Sequence, residues 1–386
     1  MKKGILGEIR GFLFVIMGYN IDRYYTARMR IRRRQHVRST WYTICASTAI
    51  KEEATVKILF YSTKPYDKVW FEPMGKDFGF DVHFVEMPCN DETIALAKGY
   101  DAICTFVNDY IDAAMISRLH RMKVKGILLR CAGFNQVDLK AAKGKITVLR
   151  VPSYSPEAVA EYAMALLLTV NRYTHRAYTR TRDFNMNING FMGTDLHTKT
   201  AGVVGTGKIG QAMIRILKGF GMHILAYDPY PNPSLDVEYV SIEELMRRSD
   251  VISLHCPLTE ETKYIINQKT IDLMKDGVYL INTSRGQLID TESLIQALLA
   301  KKFAGVGLDV YEEEEGVFYE DRSNDIDIIK DENLVRLTAF PNVLITSHMG
   351  FFTKEATREI ARVTLENAYA LENGKPLVNE VVWDRG

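Results

Sequence analysis

The chain has 386 residues, 47% of them hydrophobic, which is too long for one ordinary core and apolar enough for two. Forty-nine Lys and Arg stand against 48 Asp and Glu, and a net charge of +1 gives no global reason to expect nucleic acid or an anionic membrane as partner. The five cysteines, Cys45, Cys89, Cys104, Cys131 and Cys256, include no C-x-x-C pair, which argues against a disulfide framework or a metal site and for a reducing cytoplasm.

In chain order, residues 1–54 come first as a basic extension, with eleven Lys and Arg against four Asp and Glu. Its longest apolar run, residues 12–17, is far short of the roughly 18 residues that span a bilayer, and no small-residue cleavage site follows it. The extension reads as a poorly ordered or leader-like segment, or as a start placed too early. Regular alternation begins at Val56. The runs VKILFYS, DVHFVE, YDAICTFV, KGILLR and ITVLR are separated by roughly helix-length stretches, the pattern of parallel strands joined by crossover helices.

Pro152 and Pro156 punctuate the chain, and Ser155 is placed to cap a long helix over residues 156–184, an interdomain rod with an apolar stripe through Val159, Tyr162, Ala163, Leu166 and Leu167. A second strand series follows: TAGVVG, MHILAYD, VISLHC, GVYLIN, AGVGLDV and NVLIT. Ser241 and Glu244 have capping-box spacing. The segment 353–374 predicts an amphipathic helix closed by Gly374. If that helix packs back on the first sheet, the fold class is α/β with two open parallel-sheet domains, one (153–348) inserted into the other (55–152 and 349–386).

Within TAGVVGTGKIG, Gly205, Gly207 and Gly210 have G-x-G-x-x-G spacing directly after a strand and at the start of a helix. This is the dinucleotide-binding arrangement: a tight turn, a close backbone approach to the pyrophosphate, and close helix–strand packing. Lys208 and Ile209 stand in the same turn. Asp228, 18 residues beyond Gly210, is placed to accept from ribose hydroxyls and to repel a 2′-phosphate, so NAD is expected rather than NADP.

Three later segments, NTSRGQLID, DVYEEEEG and ITSHMGFFT, bring Arg285, Glu314 and His348 to successive strand ends, where ligands of open sheets bind. A forked guanidinium grips a carboxylate and polarises a carbonyl. An imidazole beside a carboxylate stays protonated at neutral pH until it gives up that proton. Within the run of four glutamates 312–315, the residues alone do not separate Glu314 from its neighbours. His255 in LHCP reads as structural, and the acidic segment 312–332 as a solvated loop.

From Val56 to Trp383 the sequence resembles the D-isomer-specific 2-hydroxyacid dehydrogenases, most closely their D-lactate dehydrogenase branch. The resemblance implies a Rossmann coenzyme domain inserted into a flavodoxin-like substrate domain, NAD as cofactor, and hydride reduction of a 2-keto acid with pyruvate as favourite. It places the catalytic Arg, Glu and His on Arg285, Glu314 and His348. It adds Cys256, Pro257, Thr283 and Asp309 to the coenzyme site, and Ala132, Gly133, Tyr154 and Phe351 to the substrate site. It further implies a homodimer or higher homo-oligomer whose partner is a small hydroxy acid, with no metal, nucleic acid or membrane. The competing readings are a dehydrogenase for a bulkier branched or aryl 2-keto acid, and a non-enzymatic NAD sensor.

Overall fold

The computed structural model describes residues 55–383; the basic extension of residues 1–54, and every expectation attached to it, lies outside them. The first strands are β1 (Lys57–Phe60), β2 (Asp81–Phe84), β3 (Ala102–Thr105), β4 (Gly126–Leu129) and β5 (Thr147–Arg150), with α1 (Pro65–Asp77), α2 (Ala113–Arg121) and α3 (Leu139–Ala142) between them. They form one parallel sheet in the order β2-β1-β3-β4-β5. Its inner strands read as largely apolar runs because both faces are covered: Leu59, Ile103, Ile127 and Val148 point to one core, and Phe60, Cys104, Leu128 and Leu149 to the other, while the edge strand β2 is only partly buried.

Next come α4 (Pro156–Arg172), α5 (Thr174–Arg182), β6 (Thr200–Val204), α6 (Lys208–Gly219), β7 (His223–Tyr227), β8 (Glu238–Tyr239), α7 (Ile242–Arg248) and β9 (Val251–Leu254). The chain continues through α8 (Gln268–Leu273), β10 (Val278–Asn282), α9 (Thr291–Leu299), β11 (Phe303–Leu308), α10 (Glu332–Ala339), β12 (Val343–Ile345) and α11 (Lys354–Glu372). The second sheet is also parallel, ordered β12-β11-β10-β9-β6-β7-β8, with its direction of winding reversing between β6 and β9. Every apolar run picked from the sequence is a strand; the two-residue β8 is too short and too polar to have been visible.

Helix α11 returns to the first sheet. Its Leu371 covers Gly126 of β4, its Asn367 donates to the Arg150 carbonyl, and its Thr357 accepts from the Trp70 indole of α1. Beyond it Glu380 bridges Leu149 of β5 in antiparallel fashion.

Three local expectations need correction. The helix expected over 156–184 breaks at Tyr173, which adopts φ 52° with its ring stacked on Phe191, while Asn171 is drawn off to both backbone groups of Thr194 and to the Tyr279 hydroxyl. The helix is also no free rod. It lies on the second sheet, close enough that a β-carbon at Gly305 or Gly307 would stand 3.1 and 3.0 Å from Val170 and Leu166. Finally, Ser241 caps α7 by accepting from the Glu244 amide, but the Glu244 carboxylate turns to Arg248 instead of closing the box.

Candidate active site

The turn from β6 into α6 is built by steric exclusion. Gly205 has φ 92°, and a β-carbon there would sit 2.7 Å from the backbone of His255 and Cys256. A β-carbon at Gly210 would run into the Gly205 carbonyl oxygen, so α6 can start against β6 only without one. Gly207 differs: nothing approaches its missing side chain, which leaves an open face at the N-terminus of a twelve-residue helix, where free N–H groups attract an anion. Lys208 beside it is exposed, and Ile209 is half-buried.

Asp228 ends β7 and locks this turn. Its Oδ2 accepts from the Thr206 amide and hydroxyl at 2.7 and 3.0 Å, and its Oδ1 from the Tyr230 amide at 2.9 Å. Burial pushes the carboxyl up, but these donors outweigh it and hold Asp228 below the usual range. A carboxylate offers about four acceptor positions, so about one remains for a ligand hydroxyl rather than a full pair.

A cavity of about 410 Å³ opens beside the turn, and its walls include Ile209, Cys256, Pro257, Thr283 and Asp309. The glycines, Lys208 and Asp228 are not among those walls. Two polar atoms of this cleft, Thr283 Oγ1 and His255 Nδ1, are buried with no hydrogen-bond partner among the described residues. An open helix N-terminus beside a cleft with unpartnered polar atoms fits a dinucleotide. His255 itself is held by Ser253 at 2.8 Å, and burial lowers its imidazole pKa to about 4.

A second cavity, of about 200 Å³, adjoins the first and shares with it Ala132, Gly133, Tyr154, Arg285, His348 and Phe351. The four substrate candidates and two of the three catalytic candidates therefore stand where the cavities meet. Arg285 follows β10 on a turn fixed by Asn282, whose side chain donates to the Arg285 carbonyl and accepts from the Ser284 amide. Its guanidinium bonds only its neighbour's carbonyl, Ser284 O, and pairs with no carboxylate among the described residues. The Ala132 and Gly133 amides have no protein acceptor among them either. Tyr154 and Phe351 meet edge to face at 6.2 Å, and burial pushes the Tyr154 phenol up to about 12.

His348 follows β12 with φ 53°, a conformation unfavourable for a side chain with a β-carbon and frequent at functional sites. Its amide donates to the Asp309 carbonyl at 2.7 Å, and Nδ1 lies 2.8 Å from Glu314 Oε1. An ionised carboxylate can only accept, so Nδ1 carries a hydrogen and Nε2 is the atom left to face a ligand.

The four consecutive glutamates have separate surroundings. Glu312 takes the Tyr264 hydroxyl and the Thr291 amide, Glu313 is exposed, Glu314 takes His348 and the Tyr311 amide, and Glu315 faces Tyr110. The acidic segment expected to be a solvated loop is thus partly built in: Phe318 is buried, and Tyr311 bonds Asp331. Asp309, placed by resemblance in the coenzyme site, spends its carboxylate on the His348 turn. Its Oδ1 accepts from the Thr346 hydroxyl and Met349 amide, and its Oδ2 from the Gly350 amide.

Phe106 and Tyr319 are among the lining residues that escaped sequence reasoning. Phe106 follows β3 and Tyr319 lies in the acidic segment, and neither stands in a motif that could have marked it. Among the described residues no group of three His, Cys, Asp or Glu is placed to hold a metal ion, and no helix is long and apolar enough to cross a membrane.

Comparison with known proteins converges on one chemistry. Residues 164–350 match the model of the D-isomer specific 2-hydroxyacid dehydrogenase, NAD binding domain. D-lactate dehydrogenase of Escherichia coli is 49% identical over 331 residues, 85% of this chain and all of that protein. Among solved structures, the pyruvate reductase of Chlamydomonas reinhardtii superposes with a TM-score of 0.81 at 44% identity, covering 84% of this chain and 99% of that one. A D-2-hydroxyisocaproate dehydrogenase does so at 0.76 and 33%, covering 85% and 100%. With two parallel sheets, a glycine turn at the head of the second, and likeness of this extent to both sequences and structures, the chain belongs to the family of NAD-dependent D-isomer-specific 2-hydroxyacid dehydrogenases.

Proposed function

We propose that this enzyme reduces pyruvate to D-lactate, with Arg285, Glu314 and His348 as its catalytic residues. The observation that carries the reading is the His348–Glu314 contact of 2.8 Å beside an Arg285 that has no carboxylate of its own, both at the junction of the two cavities. NADH supplies the hydride when bound: Gly205, Gly207, Lys208, Ile209 and Gly210 would take its pyrophosphate, Asp228 a ribose hydroxyl, and Cys256, Pro257, Thr283 and Asp309 would border the remainder. The missing cation after Asp228 and the lowered carboxyl there favour NADH over NADPH.

The protein's own groups do the rest. Arg285 holds the substrate carboxylate and draws electron density toward the keto oxygen, with the Ala132 and Gly133 amides on the carboxylate's other side. As the keto carbon gains the hydride, its oxygen takes the proton from His348 Nε2, and Glu314 stabilises the imidazolium until then. The hydroxy acid and NAD+ leave, and His348 regains its proton from solvent. Tyr154 and Phe351 wall the methyl side. Residues 55–152 with 349–386, and residues 153–348, are taken as the two bodies whose closure excludes water.

The test is a panel of 2-keto acids with NADH and NADPH, read as kcat/KM. Pyruvate should lead and NADH should be preferred. A branched or aryl acid in first place would transfer the reading to the bulkier class, which the likeness to a D-2-hydroxyisocaproate dehydrogenase favours. No turnover of any acid despite tight NADH binding would make the protein a sensor. We further propose a homodimer, to be tested by sedimentation velocity, and a cytoplasmic location, for which the four buried free thiols Cys89, Cys104, Cys131 and Cys256 are suited.

A further inference from the structure

Two features of His348 need an external hold. Its left-handed backbone is uphill for a residue with a β-carbon, so surrounding contacts must fix it. Its ring must also point Nε2 at the substrate while Nδ1 stays on Glu314. The Asp309 carbonyl grips the His348 amide. On the opposite side of the same residue, the Tyr319 hydroxyl donates to the His348 carbonyl at 2.9 Å.

Tyr319 lies five residues beyond Glu314, on a turn closed by hydrogen bonds from the Val317 and Phe318 amides to the Glu314 carbonyl. One short loop therefore supplies both the carboxylate on the imidazole and the donor on the main chain behind it. The same tyrosine reaches the other sheet. Its ring meets Phe106, just past β3, edge to face at 5.1 Å, and both rings line the 200 Å³ cavity. The seam is fastened on either side: Asn108 donates to the Phe318 carbonyl at 3.3 Å, and Lys64 pairs with Glu320 at 3.1 Å.

We propose that Tyr319 is a positioning and size-selecting residue: its hydroxyl holds the His348 backbone in register with Glu314, and its ring, closed against Phe106, limits the side chain of the 2-keto acid. This rests on the catalytic reading above. Removing the hydroxyl alone and removing the ring should have different consequences, because the first touches only the backbone hold and the second opens the wall.

Tyr319→Phe keeps the ring and its contact with Phe106. Loss of one neutral hydrogen bond from a group that must be aligned at the reacting atoms should lower kcat about fivefold to tenfold with KM within about twofold, and leave the order of substrates as in the parent. Tyr319→Leu should raise the kcat/KM ratio of 2-ketoisocaproate to pyruvate by about tenfold or more, since extra methylenes are worth that much in a pocket able to take them. If Tyr319→Leu does not fold, Phe106→Leu opens the same wall from the other sheet and carries the same expectation.

A Tyr319→Phe enzyme with the parent's kcat overturns the positioning role, and an unchanged substrate ratio in the folded ring variant overturns the size limit. Amide hydrogen exchange over residues 345–350 of the coenzyme-free protein separates this proposal from the catalytic one. Exchange should be faster in Tyr319→Phe whether or not any acid is turned over, and unchanged exchange sinks the hold on His348. A parent without turnover but with faster exchange in the variant would spare the hold and remove the catalytic reading.

Discussion

The β6–α6 turn and the loop from Glu312 to Glu320 both border the site, but they are built by opposite means. The glycine turn is held by backbone: three residues are glycine because there is no room, or because room must stay open, within six positions of sequence. The acidic loop is held by side chains reaching partners 21 to 256 residues away, among them Thr291, His348 and Lys64. A local rule written in adjacent letters can be read from the sequence, whereas a partnership across the fold cannot. That is why the loop looked like solvated charge until its contacts were in view.

The sharpest way to break this contrast is to put a side chain into the turn. Gly210→Val drives a branched side chain into the Gly205 carbonyl, so α6 must move. Coenzyme affinity should fall more than about 100-fold, and stability by several times the ~1–3 kcal/mol of ordinary overpacking. Gly207→Ala is the counterpart, because nothing lies within 4 Å of the added carbon. Its thermal midpoint should stay with the parent while the NADH dissociation constant rises about tenfold. Parallel losses of midpoint and affinity in Gly207→Ala would mean that its open face is structural.

In the acidic loop the expected effects are smaller and concern protons. Glu314→Gln removes the charge from the 2.8 Å contact with His348 but keeps its shape, and loss of a charge-assisted hydrogen bond should cost about 10- to 100-fold in kcat/KM for pyruvate. Glu313→Gln, at an exposed side chain, should leave kcat/KM for pyruvate at the parent's value. A loss of kcat/KM in the Glu313 variant alone would reverse the assignment between the two glutamates.

The sequence carried the fold class because nearly every buried strand is a short apolar run, and it placed Arg285 and His348 just past strand ends because each follows such a run. It did not carry Tyr319 or Phe106, whose pairing across 213 residues leaves no periodic trace. Nor did it show that Asp309 clamps the His348 turn, since three donors from residues 346–350 converge there only in the folded chain. The helix break at Tyr173 was hidden for the same reason: residues 171 and 173 are drawn off by Thr194 and Phe191.

Asp228 locks the turn and, on the proposed reading, would also accept from a ribose hydroxyl. Asp228→Ala should lower the preference for NADH over NADPH about tenfold, by removing one ribose acceptor and the repulsion of a 2′-phosphate. The coenzyme-free protein should also melt a few degrees lower, because Thr206 loses its acceptor. An unchanged coenzyme ratio with a lowered midpoint would leave Asp228 as a lock alone.

The smallest effect tests whether the buried His255 ring, whose Nδ1 has no partner among the described residues, matters to the free protein. Burial lowers the His255 pKa to about 4, against an ordinary value near 6.5, so between these values the unfolded chain binds a proton that the folded one refuses. Stability from this group is therefore complete above about pH 6.5 and is lost as pH falls toward 4, which is the sign linkage requires for a depressed histidine. Between pH 7.5 and 5.5 the loss amounts to about 1 kcal/mol. His255→Gln places an amide near the Nε2 position and can keep the bond to Ser253 but does not titrate, so its unfolding free energy in urea should fall less over that interval, by about the same amount. All other groups titrate alike in both proteins, and the difference of differences isolates His255. Equal losses in parent and variant would mean that the ring is already protonated without penalty near pH 5.5, and that the cleft is wetter around it than its buried Nδ1 indicates.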